Sequence, residues 1–200
     1  MLRNLSTRIT VCYLCAAYAG WLTADERVAP YVPTVEEDVE LMLDVARVNP
    51  TDYVIDLGSG DGRIAIAAAR RGATAHGVEI DAGLVELARR NAARAGVDER
   101  TTFVEGDIFT ADIRRATVVT LYLFPEANLR LRPKLLAELA PGTRVVSNSF
   151  QMGDWPPDAH DLSSRSSGGI LLWIIPANVD GRWTLAIDNE PEALALSVRQ

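Results

Sequence analysis

Apolar positions first recur at helical spacing at Val39, Leu41, Met42, Val45 and Ala46, and Asn49-Pro50 stops the run. Thr34 stands where an N-cap belongs, with Glu36 and Glu37 in the first turn after it. Tyr53-Val54-Ile55 reads as a short strand that breaks into Asp56-Leu57-Gly58-Ser59-Gly60-Asp61-Gly62. Helical spacing returns with Ile64, Ala65, Ala67, Ala68 and Ala69 and ends at Gly72. Residues 75–80 predict the next strand, and residues 84–95 an amphipathic helix closed by Gly96. Residues 102–104 and 117–123 are further strands, the first running into Gly106-Asp107-Ile108-Phe109. A helix over 129–139 tolerates Pro133, and a strand follows over 144–149. The last apolar runs, 170–175 and 183–187, flank a turn containing Asp180-Gly181 with no helical pattern between them. That pattern predicts an α/β domain: a three-layer, Rossmann-like fold whose mostly parallel sheet is closed by a C-terminal antiparallel hairpin. Residues 151–169, rich in Pro, Asp and Ser, form the longest irregular stretch. They read either as a surface loop or as a lid over a site.

Two hundred residues suffice for one domain with a full core. The formal net charge of -7 argues against a nucleic-acid partner, because such a surface does not collect phosphodiester backbones. Cys12 and Cys15 provide at most half of a zinc site, and His76 and His160 lie in unrelated contexts, so no metal is expected. Arg3 and Arg8 precede a weakly apolar stretch at residues 9–22 that contains Ala17-Tyr18-Ala19 before Gly20. This resembles a short export signal, and it is equally the pattern of a helix packed on the domain or lying on a membrane surface. With Pro30 and Pro33 marking a change of composition, residues 1–29 are taken as a leading segment and linker, and 30–200 as the domain.

A strand, a glycine-rich turn and a helix together make an anion- and nucleotide-binding arrangement. Gly58, Gly60 and Gly62 are spaced G-x-G-x-G, so the dinucleotide pattern fails at Arg63, and no Gly-Lys-Ser/Thr follows to make a P-loop. The acids decide the ligand. Asp56 ends the first strand, where a carboxylate opposes pyrophosphate but suits a cation, and S-adenosylmethionine carries a sulfonium and an ammonium. Glu79 ends the second strand, placed to accept from both ribose hydroxyls. Asp107 ends the third, placed to accept from an exocyclic amine, while Ile80 and Ile108 can close on the faces of adenine. Each acid also has a plainer reading, Asp56 as a turn cap, Glu79 as a solvated strand end and Asp107 as an Asx-turn former; three in succession are harder to dismiss. Asp61 either orients the loop or reaches the amino group, and Asp81 caps the next helix or joins the site.

Asp-Leu-Gly-Ser-Gly-Asp-Gly-Arg at 56–63, Gly-Val-Glu-Ile-Asp at 77–81 and Gly-Asp-Ile-Phe at 106–109 resemble the cofactor motifs of class I S-adenosylmethionine-dependent methyltransferases. Three further stretches narrow the resemblance: Tyr31-Val32-Pro33-Thr34, then Leu121-Tyr122-Leu123-Phe124-Pro125-Glu126-Ala127-Asn128, then residues 142–147 with Phe150 and Gly153-Asp154-Trp155. They are similar to the small protein-lysine methyltransferases related to the enzyme that modifies the c subunit of mitochondrial ATP synthase. More distantly they resemble the class I histone lysine methyltransferases. The resemblance covers about residues 30–187. It implies that Gly58, Gly60 and Gly62 line the methionine moiety, Glu79 holds the ribose and Asp107 the adenine amine. It implies also that the segment from Tyr31 to Thr34 folds across the cofactor, with Tyr122 and Asn128 near the methyl group. Asn-Pro-Pro-Tyr, the signature of enzymes acting on DNA adenine or glutamine amides, is replaced here by Leu-Phe-Pro-Glu.

Methyl transfer to lysine needs a neutral amine held in line with the departing sulfur. An aromatic channel lowers the amine's pKa, and Tyr122, Phe124 and Trp155 are its candidates, with Asn128 as an uncharged acceptor; ordinary packing, or helix capping for Asn128, is the rival account. The leading expectation is therefore methylation of a lysine amine on a protein or peptide. A small-molecule methyltransferase is the alternative, and a cofactor-free hydrolase or binding module the third. Because S-adenosylmethionine is made and kept inside cells, the expected location is cytoplasmic, with export or weak membrane association through residues 9–22 as the alternative.

Overall fold

The computed structural model describes residues 32–177 together with two further strands, Gly181–Leu185 and Leu194–Val198. Tyr31, Cys12, Cys15 and the apolar N-terminal stretch lie outside the described residues. Helix α1 (Glu36–Val45) leads into β1 (Tyr53–Leu57), α2 (Arg63–Arg70), β2 (Thr74–Glu79), α3 (Ala82–Ala95) and β3 (Thr101–Glu105). The chain then crosses to β4 (Val118–Leu121), α4 (Pro125–Glu138), β5 (Arg144–Asn148), β6 (Ala159–Asp161) and β7 (Ile170–Ile174). The sheet order is β3-β2-β1-β4-β5-β7-β6. From β3 through β5 the pairing is parallel, and β7 runs antiparallel to both β5 and β6.

The two faces of the sheet are covered by different helices. Val54, Val118 and Val146 pack with residues of α1, α2 and α3, among them Val39, Ala65 and Ala88. Their alternating neighbours Ile55, Val119 and Val145 pack with Leu131 and Leu135 of α4 and with Trp173. β4 is buried along its whole length, as a strand covered on both faces must be. The chain leaves β1 toward β2 and β3 and later returns to β1's other side as β4, so the crossovers diverge there. The carboxyl ends of β1 and β4 consequently open on a crevice.

Four expectations change in detail. The sheet does close with an antiparallel hairpin, but 170–174 pairs with Ala159–Asp161, not with the strand containing Trp183. That strand pairs with Leu194–Val198 in a separate two-stranded sheet, β8-β9. Thr34 does not cap α1: Val35 holds the N-cap position without a side-chain hydrogen bond, and Thr34 is buried with its carbonyl accepting from Arg63 Nη1 at 2.6 Å. Helix α4 begins four residues earlier than 129, at Pro125, where a proline costs no intrahelical hydrogen bond. Asn128 is therefore inside the helix and caps nothing.

The long stretch 151–169 is neither a free loop nor an untethered lid. It supplies β6, and it is held to α1 by Asp38, which is 1% exposed. Asp38 accepts from the Arg165 backbone N–H at 2.8 Å and from Ser166 Oγ at 2.6 Å. Burial opposes its ionisation, yet the Ser166 and Arg165 hydrogen bonds hold the carboxyl below its ordinary range. Among the described residues no helix is long and apolar enough to cross a membrane. Replacing Asp38 by Ala removes both bonds from a buried anion and should lower the unfolding free energy by about 2–4 kcal/mol. Urea denaturation measures this, and limited proteolysis should then cut within 159–169 faster than in the wild type.

Candidate active site

The cleft at the carboxyl ends of β1, β2, β3 and β4 encloses about 890 Å³, part of it open to solvent. Its floor is the turn between β1 and α2. Gly58 N–H and Ser59 N–H both donate to the Val78 carbonyl, at 2.8 and 3.0 Å, and Gly62 N–H donates to the Ser59 carbonyl at 2.8 Å. Gly58, Gly60 and Gly62 all have positive φ, so the turn takes this path because those positions lack side chains. A Cβ on Gly58 would lie 2.9 Å from Leu123, which closes the cleft from β4's side.

Glu79 binds this turn to β2. One carboxylate oxygen accepts from Gly60 N–H at 2.9 Å, the other from Asp81 N–H at 3.0 Å. Asp81 caps α3 by accepting from Gly83 and Leu84 N–H at 2.8 and 3.2 Å, and it also lines the cleft. Both readings of Asp81 thus hold together. Asp107 likewise lines the cleft while forming an Asx-turn, its Oδ1 accepting from Phe109 N–H at 2.9 Å. Ile80 and Ile108 flank the space beside them.

Asp61 orients the turn through Arg63, whose Nε and Nη2 reach its two oxygens at 2.9 and 2.6 Å. The third guanidinium contact is the Thr34 carbonyl. Arg63 thereby ties the segment Val32-Pro33-Thr34 across the cleft, and all three of those residues line it. Thr34 thus lies at the cleft as expected, though Tyr31 lies outside the described residues. No local pattern marks Arg63 as a tether: in the sequence it stands out only as the place where a third dinucleotide glycine is missing.

Asp56 is 2% exposed and lines the cleft. Its Oδ1 accepts from Thr120 Oγ1 at 2.6 Å, while Oδ2 is buried with no hydrogen-bond partner. Burial, and then the nearby charges of Glu79 and Asp61, push its carboxyl up to about 7 against the opposing Thr120 hydrogen bond. Thr120 stands opposite Asp56 through the β1–β4 register, which no local pattern reveals.

Tyr122 is half-buried and lines the cleft just past β4. Its ring stacks on Phe150, with centroids 6.3 Å apart and planes 18° apart, and Phe124 meets Phe150 edge-on at 5.9 Å. Phe150 is held by its backbone: its carbonyl accepts from Ser147 Oγ at 2.8 Å and from Asn128 Nδ2 at 3.1 Å. Asn128 does not line the cleft, and its amide nitrogen is committed to Phe150 and Ser147, so the direct amine contact expected of it is not available here. Its Oδ1 is buried without a partner. Trp155 also leaves the expected place at the opening. It packs on Trp173 at 6.0 Å and accepts from the Trp173 ring N–H through its carbonyl. His76 is inside β2 and His160 bonds Gly168, so neither serves the cleft.

These residues fit S-adenosylmethionine. The turn leaves room for a chain passing close to the backbone, and Asp56 Oδ2 and Ser59 Oγ are enclosed polar atoms without partners. Acids stand where hydroxyls, an amine and a cation need acceptors, and paired isoleucines face a flat slot.

Comparison with known proteins agrees. Residues 56–159 match the ANTKMT methyltransferase domain. The chain is 48% identical over 130 residues to a protein-lysine N-methyltransferase of Saccharolobus islandicus, covering 64% of this chain and 81% of that one. It is 38% identical over 129 residues to the Xenopus laevis lysine N-methyltransferase of the ATP synthase c subunit, covering 64% of this chain but only 57% of that protein. The fold matches a Salinibacter ruber RNA methyltransferase in complex with S-adenosyl-L-homocysteine, at TM-score 0.71 and 51% identity. That match covers 74% of this chain and 96% of the other.

Two outcomes test the site. Glu79→Ala removes the clamp on Gly60 and Asp81 together with the acceptor for a ribose. Calorimetric titration with S-adenosylmethionine should show affinity reduced by about 10- to 100-fold. Asp56 tests the electrostatics of the ligand-free protein. Its carboxyl titrates near 7 when folded and near the ordinary 3.8 when unfolded, so between those values the folded state holds the extra proton and stability falls as pH rises. The stability of Asp56→Asn relative to wild type should therefore grow from pH 4 to pH 7 and level off above, measured by denaturation at each pH.

Proposed function

As a member of the ANTKMT methyltransferase domain family, and so an S-adenosylmethionine-dependent methyltransferase, this chain, we propose, methylates the side-chain amine of a lysine in a protein. The observation that carries the reading is the aromatic wall where the cleft leaves β4: Tyr122 lining it, with Phe150 stacked behind and Phe124 edge-on. The relatives' activity on protein lysines supports the same choice. The chain spans little more than half the length of the Xenopus relative, so the identity of the target protein is not carried over.

When bound, the cofactor supplies a methyl group on a positively charged sulfur. The protein's contribution is to position and to exclude water. The aromatic wall disfavours an ammonium by desolvation, which lowers the pKa of an entering lysine toward its neutral, nucleophilic form. The Tyr122 hydroxyl can accept from or donate to that amine. Asn128 and Ser147 act through Phe150, fixing its carbonyl and hence its ring. We therefore assign Asn128 as a positioning residue. The acidic balance favours a lysine-bearing partner over RNA, although the Salinibacter relative is an RNA methyltransferase.

Incubating the enzyme with methyl-labelled cofactor and lysate from its own cell, then separating protein, RNA and metabolites, tests the reading. Label should appear on protein and map to lysine by mass spectrometry. Label confined to RNA or to metabolites overturns it. Phe150→Ala should cut transfer to protein at least about tenfold while leaving cofactor affinity within about twofold, since the ring lies outside the glycine turn.

A further inference from the structure

The Asp56 carboxyl meets its surroundings unequally. Oδ1 is satisfied by Thr120 of β4, and Oδ2 is buried at the cleft with no partner. The charged residues lining that cleft are Asp61 and Arg63 from the turn and the start of α2, Glu79 from β2, Asp81 before α3 and Asp107 after β3. Arg63 is directed to Asp61 and to the Thr34 carbonyl, and Glu79 to two backbone amides. An ionised Asp56 would be a buried anion facing other acids, with one oxygen unanswered. Burial and the charges on Glu79 and Asp61 accordingly favour the neutral acid.

We propose that Asp56 is a proton-exchanging counter-ion for the cofactor's α-ammonium: it holds a proton in the ligand-free protein and yields it to solvent as the ammonium reaches Oδ2. The balance is simple. A neutral carboxylic acid and a protonated amine become a carboxylate–ammonium pair, the carboxyl O–H bond breaks, and one proton enters solution. The ammonium is chosen over the sulfonium because an orphan acceptor oxygen needs a hydrogen-bond donor. An ammonium has three N–H groups, and a sulfonium has none. This inference rests on the reading of the cleft as an S-adenosylmethionine site. It also gives the binding step a pH dependence: affinity rises with pH up to about 7, because binding releases a proton.

The test is isothermal titration calorimetry between pH 6 and 7.5, in pairs of buffers with different ionisation enthalpies, so that the difference in heat counts protons. This window lies below the range in which an α-amino group itself deprotonates. The ligands are S-adenosylmethionine, S-adenosylhomocysteine and 5′-methylthioadenosine, the last lacking the amino-acid end. With a carboxyl titrating near 7, the first two should release about nine tenths of a proton at pH 6 and about a quarter at pH 7.5. Methylthioadenosine should release none. Asp56→Asn keeps an acceptor for Thr120, and it should abolish the release and weaken the first two ligands at least about tenfold, leaving methylthioadenosine unchanged. Thr120→Val removes a bond that favours the ionised form, so the release at pH 7.5 should rise toward a whole proton. Release with S-adenosylmethionine alone would assign the effect to the sulfonium and overturn the proposal. Heats independent of buffer, or release unaltered in Asp56→Asn, would overturn it as well. Failure of all three ligands to bind would instead remove the cofactor reading itself.

Discussion

The Gly60 and Asp81 amides both end on the Glu79 carboxylate, and much of the cleft depends on that clamp. One bond fixes the middle of the glycine turn, the other the residue that caps α3. β1, β2 and α3 are thereby locked at one point, with two backbone donors meeting a single anion. Charge-assisted bonds of this kind are stronger than neutral ones and tolerate little displacement. The turn can sit this close to β2 only because β1 and β2 are in parallel register from Tyr53 with Thr74 to Leu57 with Val78. Gly58 and Ser59 then reach the Val78 carbonyl directly.

Much of this was legible because strand ends carry short-range signals. The glycine spacing, the acids at Asp56, Glu79 and Asp107, and the isoleucines after the last two are local features, and all of them line one cleft. What was not legible depends on partners far along the chain. Thr34 has the side chain of a cap, but its carbonyl is drawn to Arg63, 29 residues away, and its side chain is buried. The strand containing Ile170 matches a hairpin partner downstream by pattern alone, yet the three-residue strand Ala159–Asp161 wins, brought alongside by the turn that returns through Gly168 and Gly169. So short a strand within a Pro- and Ser-rich stretch gives little periodicity to read. Asn128 reads as a cap only if the helix starts at Leu129. Its burial follows from α4 beginning at Pro125, which turns Asn128 toward β5.

Phe150 illustrates how a side chain can be aimed by residues that never touch the ligand. Ser149, just before it, has φ of 69°, a left-handed conformation that a non-glycine residue holds only under constraint from its surroundings. That constraint is visible: Ser149 N–H donates to the Gly169 carbonyl at 2.8 Å, and Phe150 N–H donates to the Asn148 carbonyl at 2.9 Å. A Cβ on Gly168 would lie 1.9 Å from the Ser149 carbonyl oxygen, so the returning chain can pass only as glycine. Ser147 and Asn128 then hold the Phe150 carbonyl from the other side. The stretch 151–169 therefore bears on the aromatic wall through its end at Gly168 and Gly169, not as a cover.

The cleft has two chemically opposed ends, and their separation follows from the topology. Acids gather where β1, β2 and β3 terminate; aromatic rings gather where β4 and β5 terminate. Helices α1, α2 and α3 cover one face of the sheet and α4 the other, so the two groups are reached from neighbouring strands without sharing a helix. An acidic, hydrogen-bonding end suits a cationic nucleoside, since it supplies acceptors and opposes pyrophosphate. An apolar end suits a group that must shed its charge before reacting. Placing the second beside the first at the β1–β4 divergence lets one site stabilise a positive charge on one ligand and disfavour it on the other. The step between the two environments is about one strand wide, roughly 4.8 Å. A single side chain, Tyr122, faces both.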